Sequence, residues 1–476
     1  MEKIIKKIAS IVGEKEKEIQ KMNVNPYIFR EYDIRGKVAE DFPPEVVVSL
    51  GKAFGTLVKR SGGREIAISG DIRITTPDLI NFFKEGVLST GVDVINIGIV
   101  PTPVNYFSLF ELDVSASVQI TGSHNPPEFN GFKLSLHKKP VYGDQIQLIK
   151  KFIINLDYES GEGSETRYKL LPKYAEMIKS KISINREMKV VMDCGNAAAA
   201  INAPSIFKDL GIELKELFCE PDGTFPNHHP DPTVEENLQD LIDEIKTGTY
   251  DLGIAFDGDA DRLGVVDETG DIIWADQLLA ILISDVVEQG DEVIFDVKCS
   301  QALEDMIIKY GGKPVMWNTG HSLIKNKMAE NNCKVGGEMS GHIFFADDYY
   351  GYDDAIYVAG RLLQLLSRTD KKLSELKAEI PKYYSTPEIR LEAESDELKF
   401  DIAKKAESYF SSNYDCITVD GVRVKFDGGW GLVRASNTQP VIVCRFEGNT
   451  PKKMSEIQEL ILNKLNEFGK LEASSH

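Results

Sequence analysis

Short apolar segments alternate with longer helical patterns through most of this 476-residue chain, and this alternation restricts the possible fold most. The pattern predicts buried strands at residues 65–69 and 94–99, and further strands at residues 189–193, 213–218, 252–256 and 292–297. Helical patterns stand between them, for example at residues 197–210, 234–246 and 301–310. Strands that alternate with helices in this way are typical of α/β domains with parallel sheets and right-handed crossovers. We therefore predict an α/β fold.

The length requires several cores, because one domain usually holds roughly 100–200 residues. Residues 158–166 are polar and rich in turn formers, which predicts a linker. The α/β pattern restarts near residue 270, and beyond residue 381 predicted strands adjoin one another. These shifts predict α/β domains at residues 1–167, 168–270 and 271–381, followed by a smaller α+β domain at residues 382–476.

Charge and composition exclude some classes of protein. The chain has 55 basic and 75 acidic residues, a net charge of −20, which argues against a surface for nucleic acid or anionic membrane. No apolar run approaches the roughly 20 residues of a membrane span. The six cysteines are at least 25 positions apart, so no redox or metal-binding pair is visible, and isolated thiols fit a reducing cytoplasm. An amphipathic pattern at residues 1–20 predicts a helix that packs on the body or contacts a partner.

The motif Thr-Gly-Ser-His-Asn-Pro at residues 121–126 is the first candidate site. Alternating apolar residues lead into it, so we expect Ser123 to be exposed at the end of a strand, where α/β folds place their chemistry. Ser123 could be an acyl-transfer nucleophile, a phosphoryl carrier or a turn serine. The nucleophile-elbow pattern is absent, because Asn125 stands where a second glycine belongs.

Three carboxylates, Asp257, Asp259 and Asp261, alternate after an apolar strand and form the second candidate site. A Ca²⁺ helix-loop-helix site is excluded, because Arg262 occupies the position that needs glycine. Hard oxygen ligands with an open side suit Mg²⁺, which can take its remaining oxygens from a phosphate. The alternative is an acidic, solvated turn.

Two further loops suggest a ligand that carries hydroxyls and phosphate. Gly336-Gly337-Glu338-Met339-Ser340-Gly341-His342 combines close backbone approach with groups that suit paired sugar hydroxyls. Arg434-Ala435-Ser436-Asn437-Thr438 offers a guanidinium, hydroxyls and an amide to a phosphate. Each loop alone could be structural, but together with the serine and the aspartates they indicate a phosphosugar site.

These motifs resemble those of the α-D-phosphohexomutases, in particular the bacterial phosphomannomutase/phosphoglucomutase branch. The resemblance extends from Phe29 onward and includes Tyr32-Asp33-Ile34-Arg35-Gly36, Asn130-Gly131-Phe132-Lys133, Phe225-Pro226-Asn227-His228-His229-Pro230 and Gly320-His321-Ser322. It implies four domains around a central cleft, namely three similar mixed-sheet α/β domains and a smaller α+β domain.

The resemblance also implies a reaction. Ser123 would carry a phosphoryl group and complete the Mg²⁺ shell of Asp257, Asp259 and Asp261. The enzyme would interconvert hexose 1-phosphate and hexose 6-phosphate, of glucose or mannose, through a 1,6-bisphosphate. Glucose 1,6-bisphosphate or mannose 1,6-bisphosphate would be the activator. The protein would be a cytoplasmic monomer or dimer whose partner is a small phosphosugar.

Individual roles follow from the same resemblance. Lys133 matches the general acid/base, His342 and Arg35 match groups at the reacting oxygen, and Arg262 matches a residue beside the metal loop. Glu338 and Ser340 match contacts to the sugar, and Gly320 and His321 match the sugar-binding loop. The non-transferred phosphate would bind Arg434, Ser436, Asn437 and Thr438, helped by Tyr32 and Lys298.

The chain departs from the family pattern in its longer N-terminus at residues 1–25, at residues 70–73 and at Gln439. Phosphoglucosamine mutase is the nearest alternative, but Met339 and Gln439 differ from its loops. A Ser-His hydrolase, which would need no metal, and a non-catalytic phosphosugar-binding protein are the alternatives from other classes.

Overall fold

Four β-sheets follow one another along the chain in the computed structural model, which describes residues 24–436 and 441–473. The helix expected at residues 1–20 lies outside these ranges, as do Asn437 and Thr438. Among the helices of the described ranges, none has the length and apolarity needed to cross a membrane.

The first sheet has the strand order β1-β5-β4-β2-β3-β7, with β6 paired to β5. Its strands are β1 (Ile34–Lys37), β2 (Glu65–Gly70), β3 (Asp93–Ile99), β4 (Ala116–Ile120), β5 (Phe129–Leu136), β6 (Lys139–Pro140) and β7 (Glu165–Arg167). Its helices are α1 (Val38–Asp41), α2 (Pro44–Arg60), α3 (Thr76–Leu88), α4 (Thr102–Glu111) and α5 (Asp144–Asn155), with a 3₁₀ turn at Pro26–Ile28. β2, β3 and β4 are parallel, whereas β5 is antiparallel to both β4 and β1.

The second sheet has the order β12-β11-β10-β8-β9. Its strands are β8 (Lys189–Asp193), β9 (Glu213–Leu217), β10 (Leu252–Phe256), β11 (Leu263–Asp267) and β12 (Ile272–Ile273). Helices α6 (Leu171–Lys181), α7 (Ala203–Asp209) and α8 (Gln239–Thr247) pack beside it, with 3₁₀ turns at Ala198–Ile201 and Glu235–Leu238. The helix predicted at residues 197–210 is therefore two pieces. Pro204 stands in the first turn of α7, because a helix interior does not tolerate proline.

The third sheet has the order β14-β13-β15-β16. Its strands are β13 (Glu292–Asp296), β14 (Lys313–Trp317), β15 (Val335–Gly337) and β16 (Ile343–Phe345). Its helices are α9 (Ala275–Leu282), α10 (Gln301–Lys309), α11 (His321–Asn331), α12 (Ala355–Ser367) and α13 (Leu373–Ala378), with a 3₁₀ turn at Ile283–Asp285. As in the second sheet, parallel strands end in an antiparallel hairpin, here β15–β16.

The fourth sheet has the order β19-β20-β21-β22-β18-β23, with β17 paired to β22. Its strands are β17 (Tyr384–Ser385), β18 (Ile389–Glu392), β19 (Cys416–Ile417), β20 (Val422–Phe426), β21 (Gly429–Ala435), β22 (Val441–Gly448) and β23 (Glu472–Ala473). Every recorded pairing in this sheet is antiparallel, and helices α14 (Asp396–Asn413) and α15 (Pro451–Phe468) pack against it. This is the α+β domain expected from the sequence.

The sheets agree with the mixed sheets that the resemblance implies, and they differ from the parallel sheets that the alternation of strands and helices predicts by itself. Each of the first three sheets is mixed, because a hairpin adds antiparallel strands at one side. The polar segment predicted as a linker at residues 158–166 runs into β7, which pairs with β3. The side chains of β7 are exposed, so its sequence carries no apolar alternation.

Apolar packing joins the first three domains and leaves the fourth with a core of its own. One cluster of buried side chains runs from α4 through the second sheet to the third. The fourth sheet packs a separate cluster against α14 and α15. It meets the third domain through Trp430 and Leu432, which contact Val297. Arg423 reinforces this contact by donating to the carbonyls of Val297 and Cys299, both at 2.7 Å.

Candidate active site

Ser123 lies on the hairpin between β4 and β5, three residues beyond the end of β4. It is not exposed as the sequence suggested: only 3% of its surface is accessible. The loop after β10 covers it, and Gly258 comes so close that a Cβ there would stand 2.1 Å from the Ser123 carbonyl oxygen. The Ser123 backbone is left-handed, with φ of 47°, and its hydroxyl donates to Asp257 Oδ2 at 2.8 Å. The serine therefore faces a carboxylate from the second domain.

The side chains of Asp71 and Arg73, which follow β2, hold the serine loop through hydrogen bonds. Asp71 accepts hydrogen bonds from the Thr121 hydroxyl at 2.8 Å and from the Gly122 N–H at 3.0 Å. The Arg73 guanidinium donates to the Ser123 carbonyl at 2.7 Å and also to the carbonyls of Asn125, Pro126 and Phe129. Arg73 is 2% exposed. Because the four carbonyls that Arg73 binds belong to residues 123–129, the pair holds the backbone of the serine loop in place.

Asp257, Asp259 and Asp261 converge next to Ser123 on the hairpin between β10 and β11. All three are buried, and each offers an oxygen within 4.8 Å of the others. Lys133 of β5 reaches across the domain boundary and donates to Asp259 at 2.7 Å and to Asp261. Asp259 Oδ1 and Asp261 Oδ1 have no hydrogen-bond partner. Buried carboxylate oxygens left unpaired beside a third carboxylate fit a divalent cation.

Mutual repulsion and burial separate the pKa values of these groups. Burial raises the pKa of Asp257 well above its usual range, and the charges of Asp261 and Asp259 raise it further. Burial opposes ionisation of Asp259 too, but the Lys133 ammonium outweighs it and lowers the pKa of Asp259. Burial likewise favours neutral Lys133, yet Asp259 and Asp261 hold its pKa well above the usual value. A cation added here would relieve the repulsion.

His342 connects this cluster to the third domain. Its Nε2 accepts from Arg262 Nε at 3.0 Å, and its Nδ1 lies 2.9 Å from Asp353 Oδ2. The His321 ring stacks on it, with 5.2 Å between the ring centroids. Lys325 balances the shared carboxylate, with its Nζ 2.8 Å from Asp353 Oδ1. Two imidazoles, a guanidinium and an ammonium thus gather around one buried aspartate.

The turn between β15 and β16 contains the proposed sugar contacts. Glu338 is buried and accepts from the Gly320 N–H, while Ser340 is half-buried in the same turn. Burial raises the pKa of Glu338 above its usual value, partly offset by His342. Gly320 has φ of 136°, and a Cβ there would meet the Tyr32 ring at 2.6 Å. Tyr32 from the first domain therefore packs directly on the loop between β14 and α11, which contains Gly320.

Arg434 at the end of β21 points back toward the same region. Its Nε lies 3.0 Å from Asp420 Oδ2, and that carboxylate also accepts from the Thr319 N–H at 3.0 Å. The Thr319 carbonyl in turn accepts from the Tyr32 hydroxyl at 2.6 Å. Ser436 follows Arg434, and its carbonyl accepts from Lys399 at 2.8 Å. The first, third and fourth domains are thus linked through side chains that the sequence assigned to phosphate binding.

Most of the predicted residues fall into three neighbouring groups. The first group surrounds the serine and contains Ser123, Lys133, the three aspartates, Arg262 and His342. The second group lies around the Gly320 loop and contains Gly320, His321, Glu338 and Tyr32. The third group is Arg434 with its partner Asp420. Arg35 pairs with Asp33. Arg35 and Arg262 also help burial to lower the pKa of His124, which follows Ser123. Lys298 lies 3.4 Å from Glu388 and belongs to the contact between the third and fourth domains.

Sequence reasoning missed Asp71, Arg73, Asp353, Lys325 and Asp420, which hold the predicted groups in place. One of them had a sequence signal, because Asp353 and Asp354 are adjacent carboxylates after the run Tyr349-Tyr350-Gly351-Tyr352. The others look like ordinary turn or helix residues.

The four domains match known family models. Residues 26–159 match phosphoglucomutase/phosphomannomutase, alpha/beta/alpha domain I. Residues 172–270 and 274–384 match alpha/beta/alpha domains II and III of the same family, and residues 369–464 match its C-terminal domain.

Full-length relatives agree with these matches. A phosphomannomutase/phosphoglucomutase from Pseudomonas aeruginosa is 44% identical over 442 residues, which are 92% of this chain and 95% of that protein. A phosphoglucomutase from Neisseria meningitidis serogroup A is 40% identical over 444 residues, 92% of this chain and 96% of that protein. The crystal structure of a phosphoglucomutase/phosphomannomutase family protein from Burkholderia thailandensis superimposes with a TM-score of 0.89 at 40% identity, covering 94% of this chain and 99% of that one. The chain therefore belongs to the phosphoglucomutase/phosphomannomutase family.

Proposed function

We propose that this enzyme interconverts hexose 1-phosphate and hexose 6-phosphate, with glucose, mannose or both as the sugar. One observation carries the proposal. The Ser123 hydroxyl donates a hydrogen bond to Asp257, and the neighbouring buried oxygens Asp259 Oδ1 and Asp261 Oδ1 have no hydrogen-bond partner. A serine placed this way suits transfer of a phosphoryl group with a metal ion. The family to which the chain belongs supports the same reaction.

In the proposed reaction the phosphoryl group moves between Ser123 and a sugar hydroxyl. The bond from phosphorus to the serine oxygen breaks as a bond to the sugar oxygen forms, and the bisphosphate turns around before the reverse transfer. Lys133 would be the general acid/base that the family resemblance implies, and a cation held by Asp259 and Asp261 would offset the carboxylate charge that raises its pKa. Arg35, Arg262 and His342 would neutralise charge on the transferring group.

The rest of the site would hold the sugar and its second phosphate. Glu338 and Ser340 would contact neighbouring hydroxyls, with Gly320 and His321 forming the opposite wall. The second phosphate would bind Arg434, Ser436, Asn437 and Thr438, with Tyr32 and Lys298 nearby. Arg434 supports this role because it is buried at the end of β21 and its recorded ion-pair partner is the carboxylate of Asp420.

The acidic triad suits a divalent metal, and we propose Mg²⁺ as that metal and glucose or mannose 1,6-bisphosphate as the activator. Bound there, Mg²⁺ would neutralise negative charge on the phosphoryl group during transfer. We also propose domain boundaries after residues 167, 270 and 381, a cytoplasmic location, and a monomer or dimer. β12 lies just past residue 270, so the second sheet continues a few residues beyond that boundary.

The alanine variant of Ser123 tests the proposal. We expect Ser123→Ala to lose nearly all turnover in an assay coupled to glucose 6-phosphate formation, while phosphosugar affinity measured by calorimetry changes little. Ser117→Ala is the matched control, because Ser117 is a buried serine of β4 whose hydroxyl has no partner. Turnover by Ser123→Ala at the wild-type rate would refute the phosphoserine role.

Assays with glucose 1-phosphate, mannose 1-phosphate and glucosamine 1-phosphate decide the sugar. The glucosamine substrate tests the phosphoglucosamine mutase alternative. The names of the relatives favour the first two substrates.

A further inference from the structure

Two thiols meet at the carboxyl ends of neighbouring strands in the second domain. Cys194 follows β8, Cys219 follows Phe218 just beyond β9, and the Cys219 thiol donates to Cys194 Sγ at 3.2 Å. Spacing in the sequence does not indicate this pair, because the two positions are 25 residues apart. All six cysteines are free in the structure. A disulfide bond is about 2.05 Å long, so the two sulfurs need to approach by only about 1.2 Å.

The two cysteines differ in access to solvent. Cys194 is fully buried and Cys219 is half-buried, so a small reagent reaches Cys219 first. Burial raises the pKa of the Cys194 thiol well above its ordinary value. Cys194 therefore stays protonated, and its thiol lies 3.2 Å from the more accessible sulfur of Cys219. This is the arrangement of an attacking thiol and a resolving thiol.

Metal binding does not explain the pair. Within the described ranges, the metal-capable clusters are the aspartate triad and the group of Asp261, His342 and Asp353, and neither contains a thiol. A soft metal such as Zn²⁺ needs four ligands in a structural site. The two sulfurs are therefore better suited to oxidation than to holding an ion.

The turns that carry these cysteines support both catalytic loops. Beyond Cys194, the Ala198 N–H donates to the carbonyl of Gly258 in the aspartate loop at 3.3 Å. Beyond Cys219, the loop reaches His229, whose ring contacts the carbonyl of His124 next to Ser123. Asn196 ties the two turns together, because its side chain donates to the Glu220 carbonyl at 2.9 Å. These contacts connect the two turns that carry the cysteines to the serine and aspartate loops.

We propose that Cys194 and Cys219 are a site of reversible oxidation by peroxide, and that the disulfide they form slows turnover by displacing the loops around Ser123. The Cys219 thiolate attacks one oxygen of the peroxide, the O–O bond breaks, and a sulfenic acid and hydroxide result. Cys194 sulfur then attacks the Cys219 sulfur, the S–S bond forms, the S–O bond breaks, and the thiol proton leaves with the hydroxyl as water. Two thiols lose two electrons in total, and one peroxide becomes two waters.

The chemical part of the proposal has a test that is independent of any activity. The full-length enzyme is treated with hydrogen peroxide, excess peroxide is removed, and the unreduced protein is digested for mass spectrometry. We expect a linked peptide that joins Cys194 to Cys219 and is two hydrogen masses lighter than its separate parts. It should disappear on treatment with a dithiol. Absence of this linked peptide in the wild type would overturn the site.

The functional part rests on the proposed mutase reaction and is measured on the same samples. A displacement of about 1 Å at a catalytic group can cost up to roughly a hundredfold in rate, so we expect turnover to fall about tenfold and to recover with a dithiol. Cys219→Ser and Cys194→Ser should keep basal turnover and resist peroxide. Cys416→Ser, a change at a half-buried cysteine of the fourth domain, should respond like the wild type.

The outcomes separate the two parts. A linked peptide with unchanged turnover would refute the effect on the loops. Loss of turnover that persists in Cys219→Ser would mean that peroxide damages another group, and would refute it as well. An untreated enzyme with no phosphosugar turnover would refute the proposed function, while the mass measurement would still decide whether the thiols react.

Discussion

At the scale of single residues, the groups that hold the reacting side chains are as telling as the reacting side chains themselves. Ser123 is held in a left-handed conformation that only the surrounding contacts stabilise. Asp71 accepts a hydrogen bond from the Gly122 N–H of the serine loop, and Arg73 donates to the Ser123 carbonyl. The Arg73 guanidinium donates to the backbone of that loop, pairs with Asp71 and lies 5.4 Å from the centre of the Phe225 ring, so it is a positioning residue rather than a catalytic one.

We expect Arg73→Met to lower kcat about a hundredfold and to change KM less than threefold. Methionine keeps the apolar stem but removes the donors, so four carbonyls of the serine loop lose a charged hydrogen-bond donor and Ser123 shifts. Removing a buried charged partner also costs about 3–5 kcal/mol of stability, so Tm should fall. Steady-state kinetics and a thermal melt measure both effects.

Arg60→Met is the matched control, because Arg60 makes comparable ion pairs, to Asp157 and Glu159, but its side chain is 38% exposed. We expect Arg60→Met to change kcat, KM and Tm little. An Arg73→Met enzyme that loses stability but keeps the wild-type kcat would contradict the positioning role.

At the scale of elements, the hairpin is the recurring unit of the site. β4–β5 carries Ser123, β10–β11 carries the aspartates and β15–β16 carries Glu338. In each domain a buried parallel strand leads into the loop, and an antiparallel strand leads out. A short hairpin between two paired strands holds its tip rigidly, which suits a site that needs fixed geometry.

Sequence patterns predict β8 and β10 well because both strands are buried over almost their whole length. Residues 189–193 and 252–256 were predicted with the bounds that β8 and β10 have in the structure. β7 was missed, because its three exposed side chains give no apolar signal. The loops of the site were predicted one at a time from their polar residues. Their supports were not, because Asp71, Arg73 and Asp353 acquire their roles only through long-range contacts.

Helix α12 provides a prediction about pH. Asp354 caps its first turn by accepting from the Tyr357 N–H at 2.9 Å, and it is 1% exposed. Burial raises the pKa of Asp354 from its ordinary 3.8 to about 6. Between these two values the folded protein keeps a proton that the unfolded chain has lost. Raising the pH through this window therefore removes stability, by about 3 kcal/mol for a shift of this size.

Asp354→Asn keeps a capping acceptor but cannot ionise. We expect the Tm of this variant, relative to the wild type, to rise as the pH goes from about 4 to about 7, on top of a constant offset from altered hydrogen bonds to Tyr174 and Tyr349. Asp348→Asn removes an exposed carboxylate nearby and is the control. Melting curves that stay parallel across this range would show that Asp354 does not titrate as described.

At the scale of the whole molecule, the site exists only where domains meet. Ser123 and Lys133 come from the first domain, and the aspartates come from the second. The third domain adds His342, and the fourth adds Arg434 and Asp420. The net charge of −20 repels anionic ligands from the surface as a whole, so the local cations of this junction must attract the phosphates.

Metal binding should stabilise the junction between the first two domains. A ligand that binds only the folded state adds about 2.7 kcal/mol of stability at a hundred times its Kd, so Mg²⁺ should raise Tm measurably. Asp259→Asn should abolish most of that rise, whereas Asp209→Asn, a change at an exposed position, should not.

Chelation gives the same prediction a kinetic readout. Removing divalent ions should abolish turnover, and added Mg²⁺ should restore it. Phosphosugar turnover that survives chelation would refute the role of a metal ion at the aspartate triad. Equal thermal shifts in Asp259→Asn and the wild type would show that the metal binds elsewhere.

The packing of Gly258 against Ser123 has a consequence for the chain during its synthesis. A ribosome releases residue 123 long before residue 258, so for a time the serine emerges with no carboxylates beside it. A nascent first domain cannot then begin phosphoryl transfer on its own. Ser123 meets the three aspartates only when the second domain has folded and docked, and the third and fourth domains then add the remaining residues of the site.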